Sequence, residues 1–416
     1  MAALSGVKIL ELAESVSGEY CGKLLADFGA EVIKIETPGV GSPTRRMGPF
    51  SRTAPSKRQP ASVPGSTTSD ARNEDVERSG LFAYLNTGKQ SIELDLLQNK
   101  SILSRLLSQV DAVIDDHTLE WLSALGLDAV QQQCMHPGLV VCSISNFGLE
   151  PPQDRLHAED LNVFHSSGWG FHTPTGGDPT LPPLNGAGRF LPSYEAGLEA
   201  ALCISAALLA KRQTGEGQFI EISKQEVLAS RVDYVLAQMM GGDMNVSQCR
   251  TALDLSGPAG IFPCEDGFVY IWLSAPAHWQ GLRELLGDPA WMQAFPENWL
   301  EKACTPERVA TCRRHLVQWL KTQGKEQAAE RAQQLGVTLV AVNNAADLVD
   351  SPQYQFREFF VELEHPVLGN LKYPTVPYRM SETPAKPMSP APLLGQCQAV
   401  EWQQPQTHPA QVEHND

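Results

Sequence analysis

Apolar and polar positions change rhythm along the chain in a way that separates strands from helices. Residues 7–12 form a short apolar run, residues 18–29 then place Tyr20, Leu24, Leu25 and Phe28 at helical spacing, and residues 30–36 (AEVIKIE) read as a second strand. Strand, helix and strand within about thirty residues make a βαβ unit, which requires parallel strands joined by a right-handed crossover. The pattern recurs: residues 91–96 end a strand, 101–109 are helical, and 112–114 and 139–144 are short runs of the kind buried on both faces of a sheet. This succession predicts an α/β fold with a doubly wound, Rossmann-like parallel sheet.

Further on, residues 194–212 predict a long amphipathic helix with Leu198, Leu202, Ala206 and Leu209 on one stripe, stopped where Gly215 can take a left-handed turn. Residues 219–222 then predict a strand and 224–240 another helix. From Gly257 the texture shifts, and residues 262–272 carry an Asp266-Gly267 turn between two β-prone runs, a hairpin signature. The resulting plan is a large domain over residues 1–224, a smaller α+β domain over 225–335, a return segment to the large domain over 336–395, and a loose, Gln-rich tail over 396–416. Residues 51–79 are nearly empty of large apolar side chains, so burial cannot offset their ordering entropy, and they are expected to be a flexible insertion.

Composition narrows the partners. Of 416 residues 42% are hydrophobic and 19% charged, enough apolar material for a large folded core, which excludes a disordered chain. Lys plus Arg number 32 against 48 Asp plus Glu, a net charge of 32 − 48 = −16, so neither nucleic acid nor an anionic membrane suits the surface as a whole. The segment 200–210, the longest apolar one, falls short of the roughly 20 residues of a membrane span, and the first residues lack the pattern of a secretory signal. Nine cysteines, an odd number without a C-x-x-C pair, favour reduced thiols. A cytoplasmic protein is expected, and the scattered histidines show no spacing of a metal site.

Seven segments, in this order, resemble the family III coenzyme A transferases, the CaiB–BaiF or formyl-CoA transferase group: residues 24–36 (LLADFGAEVIKIE), 85–96 (LNTGKQSIELDL), 141–148 (VCSISNFG), 212–218 (RQTGEGQ), 264–267 (CEDG), 365–369 (HPVLG) and 391–395 (APLLG). The resemblance implies a large domain shared by both ends of the chain, a small domain in the middle, and two chains threaded as interlocked rings. It implies coenzyme A, carried as an acyl-CoA, and a small carboxylic acid as substrates. In the chemistry that it implies, an Asp carboxylate attacks the thioester, passes through an anhydride and an enzyme–CoA thioester, and yields CoA to the acceptor acid. The match also places Ser15, Val16 and Ser17, at the start of the first helix, against the CoA, with Ser17 as the helix cap in the plainer reading. Arg45 or Arg46, and Lys89, fall at positions that could reach a phosphate. Where relatives carry an aromatic segment that stacks near the adenine, this chain has Asp115-Asp116-His117-Thr118, which adds negative charge.

The family nucleophile lies four residues before a Gly that here is Gly197, and that position holds Ser193. A serine hydroxyl does not replace a carboxylate without an activating base. Several readings stay open. Glu195 could substitute if the turn is reshaped. Ser193 could be activated by His157 or His165. Ser193 could be an N-cap, the chain then being one subunit of a heteromer, or a structural or regulatory subunit, whose partner supplies the acid. The chemistry could instead be that of an acyl-CoA lyase. The racemase branch of the fold uses a His where this chain has Glu159, together with the acid missing at 193, so racemisation is disfavoured. Asp160 matches a family Asp read here as structural.

Overall fold

The computed structural model describes residues 2–51, 76–155, 157–172, 188–242, 257–385, 387, 389–397 and 402. They form two units, one from Met1–Val246 with Phe359–Asp416 and one from Ser247–Glu358. The sequence reading drew the limits of the smaller unit at 225 and 335. The early limit fails because Lys224–Ala229 packs on the long helix of the first unit, and the late one because the strand Thr338–Val342 pairs within the second.

The first unit is built on six parallel strands, β1 (Lys8–Glu11), β2 (Glu31–Glu36), β3 (Lys89–Glu93), β4 (Ala112–Asp115), β5 (Val140–Ser145) and β6 (Phe219–Ser223), in the order β3-β2-β1-β4-β5-β6. The chain moves outward from β1 to β3, then returns to place β4 beside β1 and moves outward again. Consecutive strand residues feed opposite cores. Ile9, Val32, Ala112 and Val140 join one cluster, and Leu10, Ile33, Val113 and Val141 join the other. On the first face lie α1 (Val16–Asp27) and a long helix; on the second lie α3 (Lys100–Leu107) and α4 (Leu119–Leu125), with α2 (Gly80–Leu85) between β2 and β3 and α5 (Ala129–Met135) between α4 and β5.

After β5 come α6 (Asp160–Ser166), the short α7 (Trp169–His172) and the long α8 (Leu191–Thr214), then, beyond β6, α9 (Lys224–Ala229) and α10 (Asp233–Met240). The single helix expected over 224–240 is thus two, because the Arg231 and Val232 amides turn back to Leu228 and Ala229 in tight i→i−3 bonds. That break presents Arg231 to Glu195 and Glu199. Helix α8 ends at Gly215 with φ 79°, as its sequence predicts. Its register is set by Gly197, where a Cβ would lie 2.6 Å from the Ser17 carbonyl oxygen, so only glycine lets α8 approach α1 this closely.

Helix α8 also corrects two expectations. With 24 residues it is long and apolar enough, by length and composition, to cross a membrane, although its inner face of Ala196, Ala200, Ile204 and Ala207 is built into the core. The stripe of Leu198, Leu202 and Leu209 lies on the outside, at 49, 63 and 61% exposure. Small residues line the core face where α8 meets α1 at Gly197, and Ile204 and Leu208 are buried further along it.

A hairpin, β10 (Phe360–His365) with β11 (Gly369–Pro374), completes the first unit. The second unit holds an antiparallel sheet of β7 (Gly260–Pro263), β8 (Phe268–Trp272) and β9 (Thr338–Val342), with the expected hairpin between β7 and β8. Its core centres on Trp279, Phe295 and Trp299, whose rings meet pairwise at 5.0–5.2 Å between centroids.

Beneath the ends of β1, β2 and β3 lies a set of buried charges. The Lys34 ammonium donates to Glu11 at 3.1 Å and to the Ala13 carbonyl at 2.6 Å, and pairs with Glu19 at 3.1 Å. Lys89 donates to Glu11 Oε1 at 3.0 Å, to the Glu19 carbonyl at 2.7 Å and to Asn86 Oδ1 at 2.9 Å. Beside them Arg45 holds Glu36 through Nε and Nη2 at 2.7 and 2.8 Å and Glu77 through Nη1 at 2.7 Å. Charges out of water survive only when matched in this way.

The same contacts fix the ends of the expected insertion and tail. Glu77 is tied to Arg45, the Ser79 hydroxyl donates to the Met47 carbonyl at 2.6 Å, and the Cys397 amide donates to the Ser91 carbonyl at 3.0 Å. Trp402 donates to Gln109 at 3.1 Å. Residues 52–75, the body of that insertion, and 398–401 and 403–416, most of that tail, lie outside the described residues.

Two predictions follow from the buried charges. Lys89→Met leaves Glu11 with a single cation and should cost about 3–5 kcal/mol in urea unfolding, most of it recovered by adding Glu11→Leu. Burial by itself would raise the Glu36 carboxyl, but the Arg45 guanidinium outweighs it and holds Glu36 down at about 2, against an ordinary 4.5. A depressed carboxyl stabilises the fold above its unfolded value and loses that contribution as pH falls through its folded one. Stability should therefore decline between about pH 4.5 and 2, and Glu36→Gln should flatten that part of the denaturation curve.

Candidate functional site

Where neighbouring parallel strands send their following loops in opposite directions, a crevice opens at their carboxyl ends. Here that point lies between β1 and β4. The loops leaving β1, β4 and β5 and the first residue after β6 line a cavity of about 390 Å³, within the roughly 300–1,000 Å³ of small-molecule sites. Ser15, His117, Trp121, Phe147, Arg155 and Lys224 are in its wall.

Three cations face this cavity. His117 stacks on Trp121 at 3.8 Å between ring centroids, while Asp115 sits 2.8 Å from Nδ1 and Glu14 3.8 Å from Nε2. Burial would lower the imidazole, but these carboxylates prevail and raise it to about 10, so it is an imidazolium at neutral pH. Arg155 lies over the Phe147 ring at 5.0 Å. Lys224, 8% exposed at its side chain, is the third.

The added negative charge of Asp115 and Asp116 is largely spoken for. Asp115 holds His117, and Asp116 accepts the Glu14 and Ser15 backbone amides at 2.9 and 2.8 Å. The chain's own carboxylate thereby occupies two amides of the β1–α1 turn.

Behind the cavity wall, Lys224 joins a second group. Its ammonium donates to Ser193 Oγ at 3.0 Å and to Asp160 Oδ1 at 3.2 Å. The Ser193 hydroxyl donates to Asp160 Oδ1 at 2.9 Å, and the Ser193 amide to Asp160 Oδ2 at 3.2 Å. Three elements converge here: Asp160 opens α6, Ser193 lies in the first turn of α8, and Lys224 follows β6 directly.

Of the residues singled out by sequence, Ser15 reaches the cavity, whereas Val16 and Ser17 are buried in α1. The N-cap of α1 is Ser15, two residues ahead of the Ser17 cap of the plainer reading. Arg45 and Lys89 are enclosed among the carboxylates described above, and Arg46 donates to the Val40 carbonyl at 2.6 Å. Ser193 is not an N-cap, because α8 begins at Leu191 with Phe190 before it. Glu195 pairs with Arg231 at 3.0 Å, away from Ser193's partners. Neither His157 nor His165 has a described hydrogen bond to Ser193, whose oxygen is shared by Asp160 and Lys224.

Sequence reasoning missed His117 as a cation, Arg155 and Lys224. The available signal was positional: each follows a strand on the carboxyl side of the sheet, where the fold puts its ligand crevice. No cluster of His, Cys, Asp and Glu able to hold a metal occurs among the described residues, and the eight described cysteines are free thiols.

Comparisons with known proteins agree with this architecture. The family model described as "CoA-transferase family III" matches residues 4–398. A succinate–glutarate CoA-transferase of Agrobacterium fabrum is 28% identical over 403 residues, covering 95% of this chain and 94% of that protein. A formyl-CoA:oxalate CoA-transferase of Bradyrhizobium is 27% identical over 421 residues, at 95% and 91% coverage. The crystal structure of a CaiB/BaiF family protein from Brucella suis superimposes with a TM-score of 0.76 at 25% identity, covering 95% of this chain and 97% of that one. A match that runs through nearly every element of both units, and includes the sheet whose switch point forms the crevice, identifies the chain as a member of CoA-transferase family III.

Proposed function

We propose that this protein transfers coenzyme A between an acyl-CoA and a carboxylic acid, with the acyl-CoA held in the crevice at the carboxyl ends of β1, β4, β5 and β6. The observation that carries this reading is the Asp160–Ser193–Lys224 group set against that crevice in a chain matching the family over residues 4–398. CoA brings several phosphate charges, and His117 and Arg155 supply cations in a wall that also offers the Trp121 and Phe147 rings. CoA-transfer chemistry needs no redox partner and no metal, only an acid, a thioester and a second acid.

The exposed stripe of Leu198, Leu202 and Leu209 supports assembly with a second chain, as in the interlocked dimer that the family resemblance implies. The −16 net charge and the free thiols support a cytoplasmic location. A second reading rests on the hydroxyl at position 193: the chain is one subunit of a heteromer whose partner brings the carboxylate.

Purified protein incubated with succinyl-CoA, formyl-CoA or acetyl-CoA and a panel of dicarboxylic acids should form the acceptor's CoA ester, detected by mass spectrometry. Product only after mixing with a second family member favours the heteromer, and no acyl-CoA binding in either setting overturns the function. Calorimetry offers a pH test. His117 has a raised folded value, so its charge persists through neutral pH and is lost as pH rises through about 10. Acetyl-CoA affinity should therefore hold from pH 6 to about 9, and His117→Gln should weaken it roughly tenfold, equivalent to one charge-assisted contact of about 1.5 kcal/mol. Unchanged affinity in both His117→Gln and Arg155→Ala would remove the crevice from the binding site.

A further inference from the structure

The carboxylate that position 193 lacks has a close substitute in the same chain. Resting on the CoA-transfer reading above, we propose that Asp160 is the nucleophile of this protein, with Ser193 and Lys224 as the residues that hold it in place.

Geometry makes the case. Ser Oγ and Asp Cγ are each one bond from their Cβ, so the Ser193 oxygen marks where the carboxyl carbon of an aspartate at 193 would stand. Asp160 Oδ1 lies 2.9 Å from that point. A carboxylate thus reaches the same region from α6 instead of from α8. An ionised carboxylate has about four acceptor sites. Among the described residues, the Ser193 hydroxyl and the Lys224 ammonium take two on Oδ1 and the Ser193 amide takes one on Oδ2, which leaves one site on Oδ2 for a bond to carbon.

Access favours the same residue. The Asp160 side chain keeps 12% of its surface in solvent, whereas Ser193 as a residue keeps 2%. The Ser193 hydroxyl is poorly placed to attack, because it is buried and its oxygen already accepts a hydrogen bond from the Lys224 ammonium. Lys224, paired with Asp160, is a donor to that hydroxyl and not a base for it. Glu195, the other nearby acid, is held by Arg231.

The steps balance without a further reagent. Asp160 Oδ2 attacks the thioester carbonyl carbon, the C–S bond breaks, and CoA leaves as thiolate beside the Lys224 ammonium, giving an acyl-aspartyl anhydride. The thiolate attacks Asp160 Cγ, the anhydride C–O bond breaks, and the donor acid departs as its carboxylate, leaving Asp160 as a CoA thioester. The acceptor carboxylate attacks Cγ and expels the thiolate to form a new anhydride. The thiolate then attacks the acceptor's acyl carbon, the bond to Asp160 breaks, and the acceptor's CoA ester leaves with the Asp160 carboxylate restored.

The test is to locate the covalent intermediate. The full-length protein is incubated with succinyl-CoA, formyl-CoA or acetyl-CoA, quenched with hydroxylamine and digested, and peptides are sequenced by mass spectrometry. An aspartyl hydroxamate at Asp160 is the expected result. Asp160→Asn should abolish it and lower kcat on the order of 10³-fold or more, with acetyl-CoA affinity retained. Ser193→Ala should keep the label on Asp160. The double variant Asp160→Ser with Ser193→Asp should move the label to position 193 and restore part of the rate, a result that a purely structural Asp160 would not give.

An acyl ester on Ser193, a label on Glu195, or no label from any thioester while acetyl-CoA still binds overturns the assignment and leaves the CoA-binding function standing. Failure of every thioester to bind overturns both.

Discussion

Charge removed from water must find a partner of opposite sign, and this requirement governs more of the first unit than any single packing contact. A parallel sheet covered on both faces takes the side chains of its strands out of water. Glu11, Lys34, Glu36 and Lys89 all lie on those strands, and each is essentially buried. Their mutual pairing, extended by Glu19, Arg45 and Glu77, ties β1, β2 and β3 to α1 and to the loop before α2. Buried pairs of this kind add little net stability over apolar residues of the same shape, but removing one member is costly, so the group persists as a whole.

The same rule separates charges that can serve a ligand from those that cannot. Arg45 spends its guanidinium on two carboxylates and the face of the Phe82 ring, 3.7 Å away, and Lys89 spends its ammonium on Glu11. Arg155 differs, lying over the Phe147 ring at the cavity, and His117, although held by Asp115 and Glu14, also lines the cavity, stacked on Trp121. Asp116 shows the reverse case. It satisfies two backbone amides of the β1–α1 turn from within the chain, so the turn no longer offers them to a phosphate.

The Asp160–Ser193–Lys224 group is the same principle at smaller scale. The neutral Ser193 hydroxyl in the first turn of α8 bridges the ion pair of Lys224 and Asp160, which balance each other's charge. The close α1–α8 approach at Gly197 holds Ser193 at this spot.

Much of the scaffold was written in local sequence. Alternation of short apolar runs with helical spacing sufficed for the six parallel strands and α1, the Asp266-Gly267 pair for the β7–β8 hairpin, and Gly215 for the end of α8, because each depends on neighbours within a few residues. The order of seven motifs likewise sufficed for the family. What only the tertiary structure decided were relations between distant residues. That Leu198, Leu202 and Leu209 face outward depends on how closely α8 approaches α1, and that Arg45 and Lys89 are enclosed depends on carboxylates up to 78 positions away. That Asp160 meets Ser193, 33 positions along the chain, depends on the fold bringing α6, α8 and the end of β6 to one point, which no spacing in the sequence records.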